Sequence, residues 1–510
     1  MSIPWQTKVL ERLSGGLNTQ SGEAYLADGE FGTCDNFHTD NDGTLTARQG
    51  YASVHANLVD AAAPVGKGLF ERKLVTGANE MMKVSTDTPW TTTYLKRRNG
   101  TTGWTNIAPT APFVPSNCDF ATGVQYRDSN YIFLWGGTSI ISRYDGAAWT
   151  QVTGAPSCQI GTVFKNRVWG IRDPAAPYTL YFTATGAGTN WTTSDSGNID
   201  IGAGDGDLPI GLEVLYNRLI IYKQFSVWVI DGDSYGTYTA QKVTDDAGAS
   251  APRSVKTIEN QVLAISSKSF YATDGSRNED IAKKIRVTRQ ALNRARDAFV
   301  FALNYRKRAQ AIFVGSDSGS SVNNVALVYS YPGGFDANAY SPAGSWTKYT
   351  TFPFSAGVVI QNSSGKEIVY FLGNTDGKFF IYEENEAGTA LTTDDGVATS
   401  VDLVSKWENF ELDGGSFALK QLVAVMRVSG TQNTYEFQRN IGVQGAVHAV
   451  KLQLTGQTGG NLSAKIYTNH DNTTVAETIT LSPPSGMVWT GIQKLIFKYQ
   501  PRMPKMTKVA

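Results

Sequence analysis

Charged residues are scarce in this chain, and neither sign prevails. They make up 18% of its 510 residues, with 45 lysines and arginines against 45 aspartates and glutamates, so the formal net charge is +0. A protein whose task is tight binding to nucleic acid usually carries a surplus of basic residues on one face. The composition argues against that class, although it leaves room for a protein past which DNA merely slides.

Cysteine is nearly absent as well. The three cysteines, Cys34, Cys118 and Cys158, are too few and too scattered for a disulfide framework or a zinc site. Free thiols are expected, in keeping with assembly in a reducing cytoplasm. No stretch approaches the ~18 apolar residues of a membrane span, and the first residues lack the pattern of a secretory signal. We expect a protein made in the cytoplasm, with no membrane-spanning segment.

Catalytic and cofactor-binding patterns are missing too. The sequence contains no HExxH, CxxC or Walker A motif, and no GxGxxG in a strand-turn-helix context. The sequence contexts of the four histidines suggest different domains, so they indicate no Ser-His-Asp or Cys-His arrangement. These histidines are His38, His55, His448 and His470. We therefore predict a protein that is not an enzyme and binds no cofactor.

Two acidic clusters in the sequence superficially resemble metal sites. One is Asp40–Gly43, which looks like the start of a calcium loop without the downstream glutamate. The other comprises Asp200, Asp205 and Asp207 in a glycine-rich stretch. Carboxylates and glycines are the usual residues of turns, so we interpret both clusters as structural turns and predict no metal site.

Glycine and aromatic residues are abundant, with 51 glycines and an aromatic content of 11%. This composition is typical of short strands separated by turns. From about residue 120 onward one sequence pattern recurs: a polar turn, an apolar strand, a short turn, a second apolar strand, and an Asp-Gly or its equivalent. Clear copies begin at Asn130, Asn166, Asn217, Asn260 and Gly365.

The copies follow one another at roughly 35 to 55 residues, the range of propeller blades and solenoid repeats. A single blade cannot bury both faces of its sheet, whereas blades packed around an axis bury them all. We predict an all-β protein with a β-propeller of about seven blades, with six or eight as alternatives. The predicted blades span 66–112, 118–153, 157–195, 209–246, 251–285, 299–353 and 354–390. A two-sheet sandwich with the same turns is the competing architecture.

Three other segments flank the propeller, which we place at 56–392. Residues 1–55 form an N-terminal segment that contributes to propeller closure, since Thr44–Tyr51 could add a strand to the last blade. Residues 398–500 alternate apolar and polar side chains with period two, which predicts a separate C-terminal β-sandwich. Residues 501–510 are predicted to form a tail or arm.

One segment interrupts the repeat with a helical pattern and a concentration of positive charge. Between Asp280 and Arg308, apolar residues recur at three- and four-residue steps among lysines and arginines. The basic residues concerned are Lys283, Lys284, Arg286, Arg289, Arg294 and Arg296. We interpret them as a candidate subunit-interface cluster. A solvated helix face and a contact with DNA in a channel are the alternatives.

Three stretches resemble the nozzle proteins of short-tailed bacteriophages, of the tail tubular protein B and DNA-stabilisation types. The first stretch comprises Gly15–Thr19, Asp28–Glu30, Asn36–Phe37 and Asp42–Tyr51; the second comprises Ala249–Val255, Val262–Ile265 and Tyr271–Gly275; the third runs from Lys406 to Val428. Together they span most of the chain in the order of that family. Physically, Arg48 is expected to clamp a carboxylate, and Pro252 restricts Ala251 to extended backbone.

The resemblance implies a structural virion protein of a phage tail that forms a ring, most simply a hexamer. The ring would lie below the adaptor protein, contact other tail proteins and continue the channel for double-stranded viral DNA, helping to retain and then release the genome. The implied location is the virion tail, after assembly in the host cytoplasm.

The alternative function is a tail-associated propeller that binds or cleaves carbohydrate. Propeller hydrolases need a pair of Asp or Glu residues in a central pocket. No such pair can be identified in the sequence, which favours the structural interpretation.

Overall fold

A computed structural model describes most of the chain. It covers residues 6–10, 13–40, 44–54, 65–86, 92–100, 103–110, 117–136, 141–193, 195–331, 344–362, 364–375, 377–409, 416–429, 434–441, 443, 447–457, 460–483, 485 and 487–502. The predictions that involve His55, the turn residues 41–43 and residues 503–510 of the tail lie outside these ranges.

Six short strands precede the propeller in the described part of the chain. They are β1 (Gln6–Leu10), β2 (Gly16–Leu17), β3 (Glu30–Asp35), β4 (Phe37–Thr39), β5 (Leu45–Ala47) and β6 (Tyr51–Ser53). A 3-10 turn, Glu23–Tyr25, lies between β2 and β3.

Seven blades follow among the described residues. Blade 1 contains β7 (Val65–Lys73), β8 (Asn79–Thr86), β9 (Thr93–Asn99) and β10 (Gly103–Ile107); blade 2 contains β11 (Phe120–Tyr126), β12 (Ser129–Trp135), β13 (Ser142–Tyr144) and β14 (Trp149–Gln151); blade 3 contains β15 (Ile160–Phe164), β16 (Arg167–Ile171), β17 (Thr179–Phe182) and β18 (Gly197–Asp200). Blade 4 contains β19 (Pro209–Leu215), β20 (Arg218–Lys223), β21 (Val227–Asp231) and β22 (Thr239–Thr244); blade 5 contains β23 (Lys256–Ile258), β24 (Gln261–Ile265), β25 (Phe270–Thr273) and β26 (Asn278–Asp280). Blade 6 contains β27 (Phe301–Tyr305), β28 (Gln310–Gly315), β29 (Val325–Ser330) and β30 (Ser345–Thr350); blade 7 contains β31 (Phe354–Gln361), β32 (Glu367–Gly373) and β33 (Phe379–Tyr382).

Helical structure is short and lies between blades or at their turns. The 3-10 segments are Pro252–Ser254, Lys283–Ile285, Arg294–Phe299 and Arg306–Arg308, and the α-helix α1 is Arg286–Ala291.

The remaining strands follow blade 7. They are β34 (Thr393–Asp394), β35 (Val397–Ala398), β36 (Ser400–Ser405), β37 (Glu408–Asn409), β38 (Ser416–Ser429), β39 (Thr434–Asn440), β40 (Ala449–Gln457), β41 (Leu462–Thr468), β42 (Glu477–Leu481) and β43 (Val488–Arg502).

The described blades form a closed ring. The first strand of each blade packs against the first strand of the next, and β31 of blade 7 packs against β7 of blade 1. Within each blade, strands that follow one another in sequence are antiparallel neighbours, as short hairpin connections require. The prediction of an all-β propeller is confirmed.

Glycines on the first strands allow neighbouring blades to approach closely. A Cβ atom at Gly123 would lie 2.5 Å from the ring of Phe70 in blade 1, and one at Gly161 would overlap the ring of Phe133 in blade 2. Protein interiors are too densely packed to absorb such an overlap. The aromatic ring of one blade therefore fills the space that the glycine of the next blade leaves.

The fourth strand of blade 7 comes from the N-terminal segment. Strand β6 pairs antiparallel with β33, and Ala52 lies opposite Ile381. The backbone N–H of Val54 extends this pairing by donating to the carbonyl oxygen of Phe379 (2.8 Å). The closing strand is thus shorter than the predicted 44–51 segment and begins at the last residue of that segment, Tyr51. Strand β5 pairs instead with β43 of the C-terminal region.

The C-terminal region forms two sheets that share one core with the propeller. One sheet has the order β39-β38-β43-β5-β4, with β1 also on β43; the other continues from blade 6 through β3, β36, β40, β41 and β42. Leu403 and Leu422, one from each sheet, belong to the same buried cluster as Phe270 of blade 5 and Phe313 of blade 6. N-terminal strands therefore complete the C-terminal sheets as well as the propeller.

A buried ion pair fixes the junction between blade 7 and the C-terminal sheets. The guanidinium of Arg48 donates to both carboxylate oxygens of Asp394 and also to the side-chain oxygen of Asn36 (2.8 Å). Arg48 is 0% exposed. The segment near 392–398, predicted as the boundary between two domains, is a short paired hairpin anchored by this arginine.

Replacing Gly50 by alanine tests the closing segment. The added Cβ would overlap the backbone of Thr393, so we expect a loss of about 3 kcal/mol or more in the free energy of unfolding. Chemical denaturation of the purified protein measures it. Gly22→Ala is the matched control, because its Cβ would have no neighbour closer than 3.8 Å; it should change stability by less than about 0.5 kcal/mol. Equal stability of the two variants would contradict this account of closure.

Candidate functional site

The first strands of the blades enclose a cavity on the propeller axis. Its volume is about 460 Å³, within the size range of cavities that bind small molecules. Apolar side chains such as Phe70, Leu212 and Leu303 form part of the wall. The polar side chains of the wall come from six of the blades and the segments that precede them. They are Glu71, Thr122, Thr162, Glu213, Arg253, Lys256 and Asn304.

Arg253 reaches this cavity from a single 3-10 turn that precedes blade 5. Ala251 has the extended backbone (φ −129°, ψ 117°) that residues before proline prefer. The Arg253 guanidinium donates to the carbonyl oxygens of Phe299 (2.9 Å) and Ser355 (3.0 Å). Its central carbon lies 4.3 Å from the ring centroid of Phe120. One side chain thus connects blades 2, 5 and 7 with the segment that leads into blade 6.

Arg253 carries a charge that forms no ion pair with any described carboxylate. Burial lowers the pKa of Arg253 to about 9, and the nearby Cys118 thiol opposes this shift. The guanidinium nevertheless stays protonated at neutral pH. A partly buried cation without a counter-ion is energetically unfavourable, and no described carboxylate compensates the charge of Arg253.

Two further cations and one carboxylate lie near Arg253, and we call Lys67, Asp119, Arg253 and Arg296 the mouth cluster. Burial lowers the pKa of Lys67; Cys118 and Asp119 oppose the shift, whereas Arg253 and Arg296 reinforce it. Burial also lowers the pKa of Arg296, again opposed by Asp119. Asp119 therefore acts on Lys67 and Arg296, whereas no described carboxylate acts on Arg253.

Two carboxyl groups line the cavity, Glu71 from blade 1 and Glu213 from blade 4. Burial raises the pKa of both groups. Lys256 opposes the shift of Glu213 from 3.6 Å, and Lys73 opposes that of Glu71 from 3.9 Å. Sequence reasoning missed this pair because the two residues lie in different blades, and no local pattern marks either of them.

The structure divides the predicted basic cluster among several environments. Lys283, Arg286 and Arg294 are exposed, and Arg286 pairs with Asp280 at 2.6 Å. These three residues remain candidates for contact with another molecule.

The other three members of the predicted cluster are engaged within the chain. Lys284 pairs with Glu30 of the N-terminal segment at 2.8 Å. Arg289 is 0% exposed and forms an ion pair with Asp297. Because a buried and paired guanidinium is unavailable to a neighbouring subunit, Arg289 is withdrawn from the predicted interface. Arg296 belongs to the mouth cluster and packs over Phe299, 3.5 Å from its ring centroid.

The acidic residues that superficially resemble metal sites serve turns and ion pairs. Asp205 pairs with the amine of Lys223 at 2.5 Å. Asp207 accepts hydrogen bonds from the backbone N–H of Phe225 (2.9 Å) and from the hydroxyl of Ser226 (2.6 Å). These carboxylates therefore stabilise the approach to blade 4 and one of its turns.

Two kinds of feature are absent from the described ranges. There, no group of three or more His, Cys, Asp or Glu side chains is placed to hold a metal ion. No helix in the same ranges is long and apolar enough to cross a membrane. Cys34, Cys118 and Cys158 are buried and form no disulfide.

Comparison with known proteins shows similarity at the level of solved structures. No family model matches the chain, and no curated protein matches it. YCF48 bound to a D1 peptide is 11% identical, with 66% of this chain and 95% of that chain covered and a TM-score of 0.38. BBS1N in complex with ARL6DN is 12% identical, with 67% and 99% covered and a TM-score of 0.42. The Neurospora crassa Pan2 WD40 domain is 8% identical, with 67% and 97% covered and a TM-score of 0.40. Likenesses this distant carry no argument about function.

Replacing Glu71 by glutamine tests the electrostatics of the cavity. Because the pKa of Glu71 is raised in the folded chain, its ionisation opposes folding, and stability falls as pH rises through the folded pKa. The Glu71→Gln variant should therefore have a higher Tm than the wild type at neutral pH. The difference should vanish below pH about 4, where the carboxyl group is protonated in both states.

Glu80→Gln is the matched control for this measurement. Glu80 pairs with Arg72 at 2.7 Å, so loss of its charge should lower the Tm at neutral pH. A Tm of Glu71→Gln at or below that of the wild type at neutral pH would contradict the proposed cost of ionising Glu71.

Proposed function

We propose that this chain is a structural, non-enzymatic protein of a bacteriophage tail. Several copies, most simply six, form a ring that continues the DNA channel below the adaptor protein. The ring contacts other tail proteins and helps to retain and then release the genome.

The observation that carries this proposal is that the nozzle-like stretches, which lie far apart in sequence, meet in the fold. Lys406 at the start of the third stretch forms an ion pair with Asp28 of the first, 378 residues away. Arg48 of the first stretch anchors Asp394 at the junction of blade 7 with the C-terminal sheets. In the second stretch, Arg253 connects blades around the axis. Lys406, Arg48 and Arg253, which belong to the resembling stretches, therefore connect parts of the fold that lie far apart in sequence.

The size of the axial cavity supports a DNA channel formed between copies instead of within one copy. The major groove of duplex DNA alone is about 12 Å wide. A cavity of about 460 Å³ with Phe70 and Leu303 in its wall is far too small for a duplex. A ring of copies related by closed rotational symmetry supplies a wider opening.

Removal of the exposed basic charges tests the ring. We expect the triple variant Lys283→Gln, Arg286→Gln, Arg294→Gln to lose ring assembly or tail attachment, because these side chains are the exposed part of the basic cluster. Its weak affinity for duplex DNA should stay unchanged. Negative-stain microscopy of tails, the copy number per virion and DNA binding at several salt concentrations provide the measurements.

The control variant Lys73→Gln, Arg127→Gln, Lys242→Gln removes the same number of exposed charges from blades 1, 2 and 4 and should assemble normally. A copy number that is not a multiple of six would exclude the hexamer. Intact assembly together with loss of a strong, salt-sensitive DNA affinity would assign the cluster to DNA contact instead.

One observation favours the second candidate, a carbohydrate-cleaving propeller. Glu71 and Glu213 line one cavity, and both carboxyl groups have raised pKa values, as general acids of glycosidases do. The structural proposal predicts that the purified protein releases no sugar from capsular polysaccharide, sialosides or peptidoglycan. Turnover that Glu71→Gln or Glu213→Gln abolishes, while Glu80→Gln retains it, would establish the enzymatic alternative.

A further inference from the structure

Three buried polar atoms of the axial cavity wall have no hydrogen-bond partner among the described residues. They are Nε of Arg253, Oγ1 of Thr122 and Oε1 of Glu71. Buried polar groups in proteins are nearly always hydrogen-bonded, to protein, water or a ligand. The three residues line the same cavity, so a polar occupant of that cavity would offer them hydrogen-bond partners.

The charge around Arg253 favours an anionic occupant. Arg253 and Arg296 both lower the pKa of Lys67, and Asp119 is the carboxylate that acts on Lys67 and Arg296. Arg253 itself has no carboxylate partner among the described residues, and its shift is opposed only by a thiol. An anion would compensate the charge of this partly buried cation.

Arg253 is also held in a fixed position, as a binding group requires. Two of its five N–H groups donate to the carbonyl oxygens of Phe299 and Ser355, and the guanidinium plane packs on Phe120. The remaining N–H groups, including Nε–H, are left for another acceptor. Thr122 lies two residues after Phe120 on β11, so both residues point to the same face of that strand.

We propose that the axial cavity binds a small molecule through an oxyanion, a phosphate or carboxylate group, that accepts hydrogen bonds from Arg253 and Thr122. Guanidinium groups match the geometry of both oxyanions, and the cavity volume of about 460 Å³ suits a small ligand. Glu71 offers a carboxyl oxygen to a hydroxyl group on the rest of the ligand. This site is independent of the proposed ring, which needs no ligand on the axis of each propeller.

Thermal unfolding of the full-length protein in inorganic phosphate and in acetate tests the proposal, with sodium chloride at equal ionic strength as the reference. We expect at least one of the two anions to raise the Tm saturably, as a ligand of the native state does. The more effective anion identifies the class of oxyanion. Absence of a saturable rise with both anions would overturn the proposal.

Variants then locate the site. Arg253→Gln should weaken binding about tenfold or more, because it removes a charge-assisted donor; Thr122→Val, which keeps the shape and breaks no other described hydrogen bond, should weaken it several-fold. The control Arg127→Gln removes an exposed arginine of blade 2 and should bind as the wild type does. If Arg253→Gln fails to fold, the Thr122→Val variant provides the test. Binding that Thr122→Val leaves unchanged, or that Arg127→Gln weakens equally, would overturn the assignment.

Discussion

Closure of the ring by β6 is the constraint on which the rest of the structure depends. Seven sheets can bury their faces against one another only if the last blade is pressed against the first. Strand β6 achieves this from a position that precedes every blade in sequence, by pairing with β33. The segment that leads into β6 carries Arg48, whose buried pair with Asp394 fixes the start of the C-terminal sheets. One short stretch therefore stabilises both parts of the molecule.

The same close packing around the axis explains the electrostatics of the cavity. The first strands of the blades pack closely around the axis, and side chains that line the cavity lose part of their hydration. The pKa values of Arg253 and Lys67 are lowered and those of Glu71 and Glu213 are raised, in each case mainly by burial. Groups of both signs are thus held in a state that a polar ligand would stabilise. These are features of a binding cavity built on a rigid frame.

The propeller could be predicted from the sequence because the pattern that marks each blade lies within a short stretch of residues. Each hairpin repeats the same strand and turn pattern, and blade 4, predicted at 209–246, has strands from Pro209 to Thr244. Pairings between strands that are distant in sequence leave no such pattern, so the sequence did not predict that β5 pairs with β43. The burial of Arg289 was missed for a related reason, since its partners Ser266 and Asp297 meet it only in the folded chain. The axial cavity likewise combines residues from separate blades, none of which is distinctive alone.

The pairing of β1 with β43 cannot form until β43 has been synthesised. Gln6 lies opposite Tyr499, and the Tyr499 hydroxyl donates to the Gln6 side chain (2.7 Å). A ribosome that adds about 5–20 residues per second needs roughly 25–100 s for 510 residues. Throughout that time β1 has no partner, and until blade 7 emerges β6 has none either. Such unpaired strands are open to pairing with other chains, and they stay exposed longest when synthesis is slow.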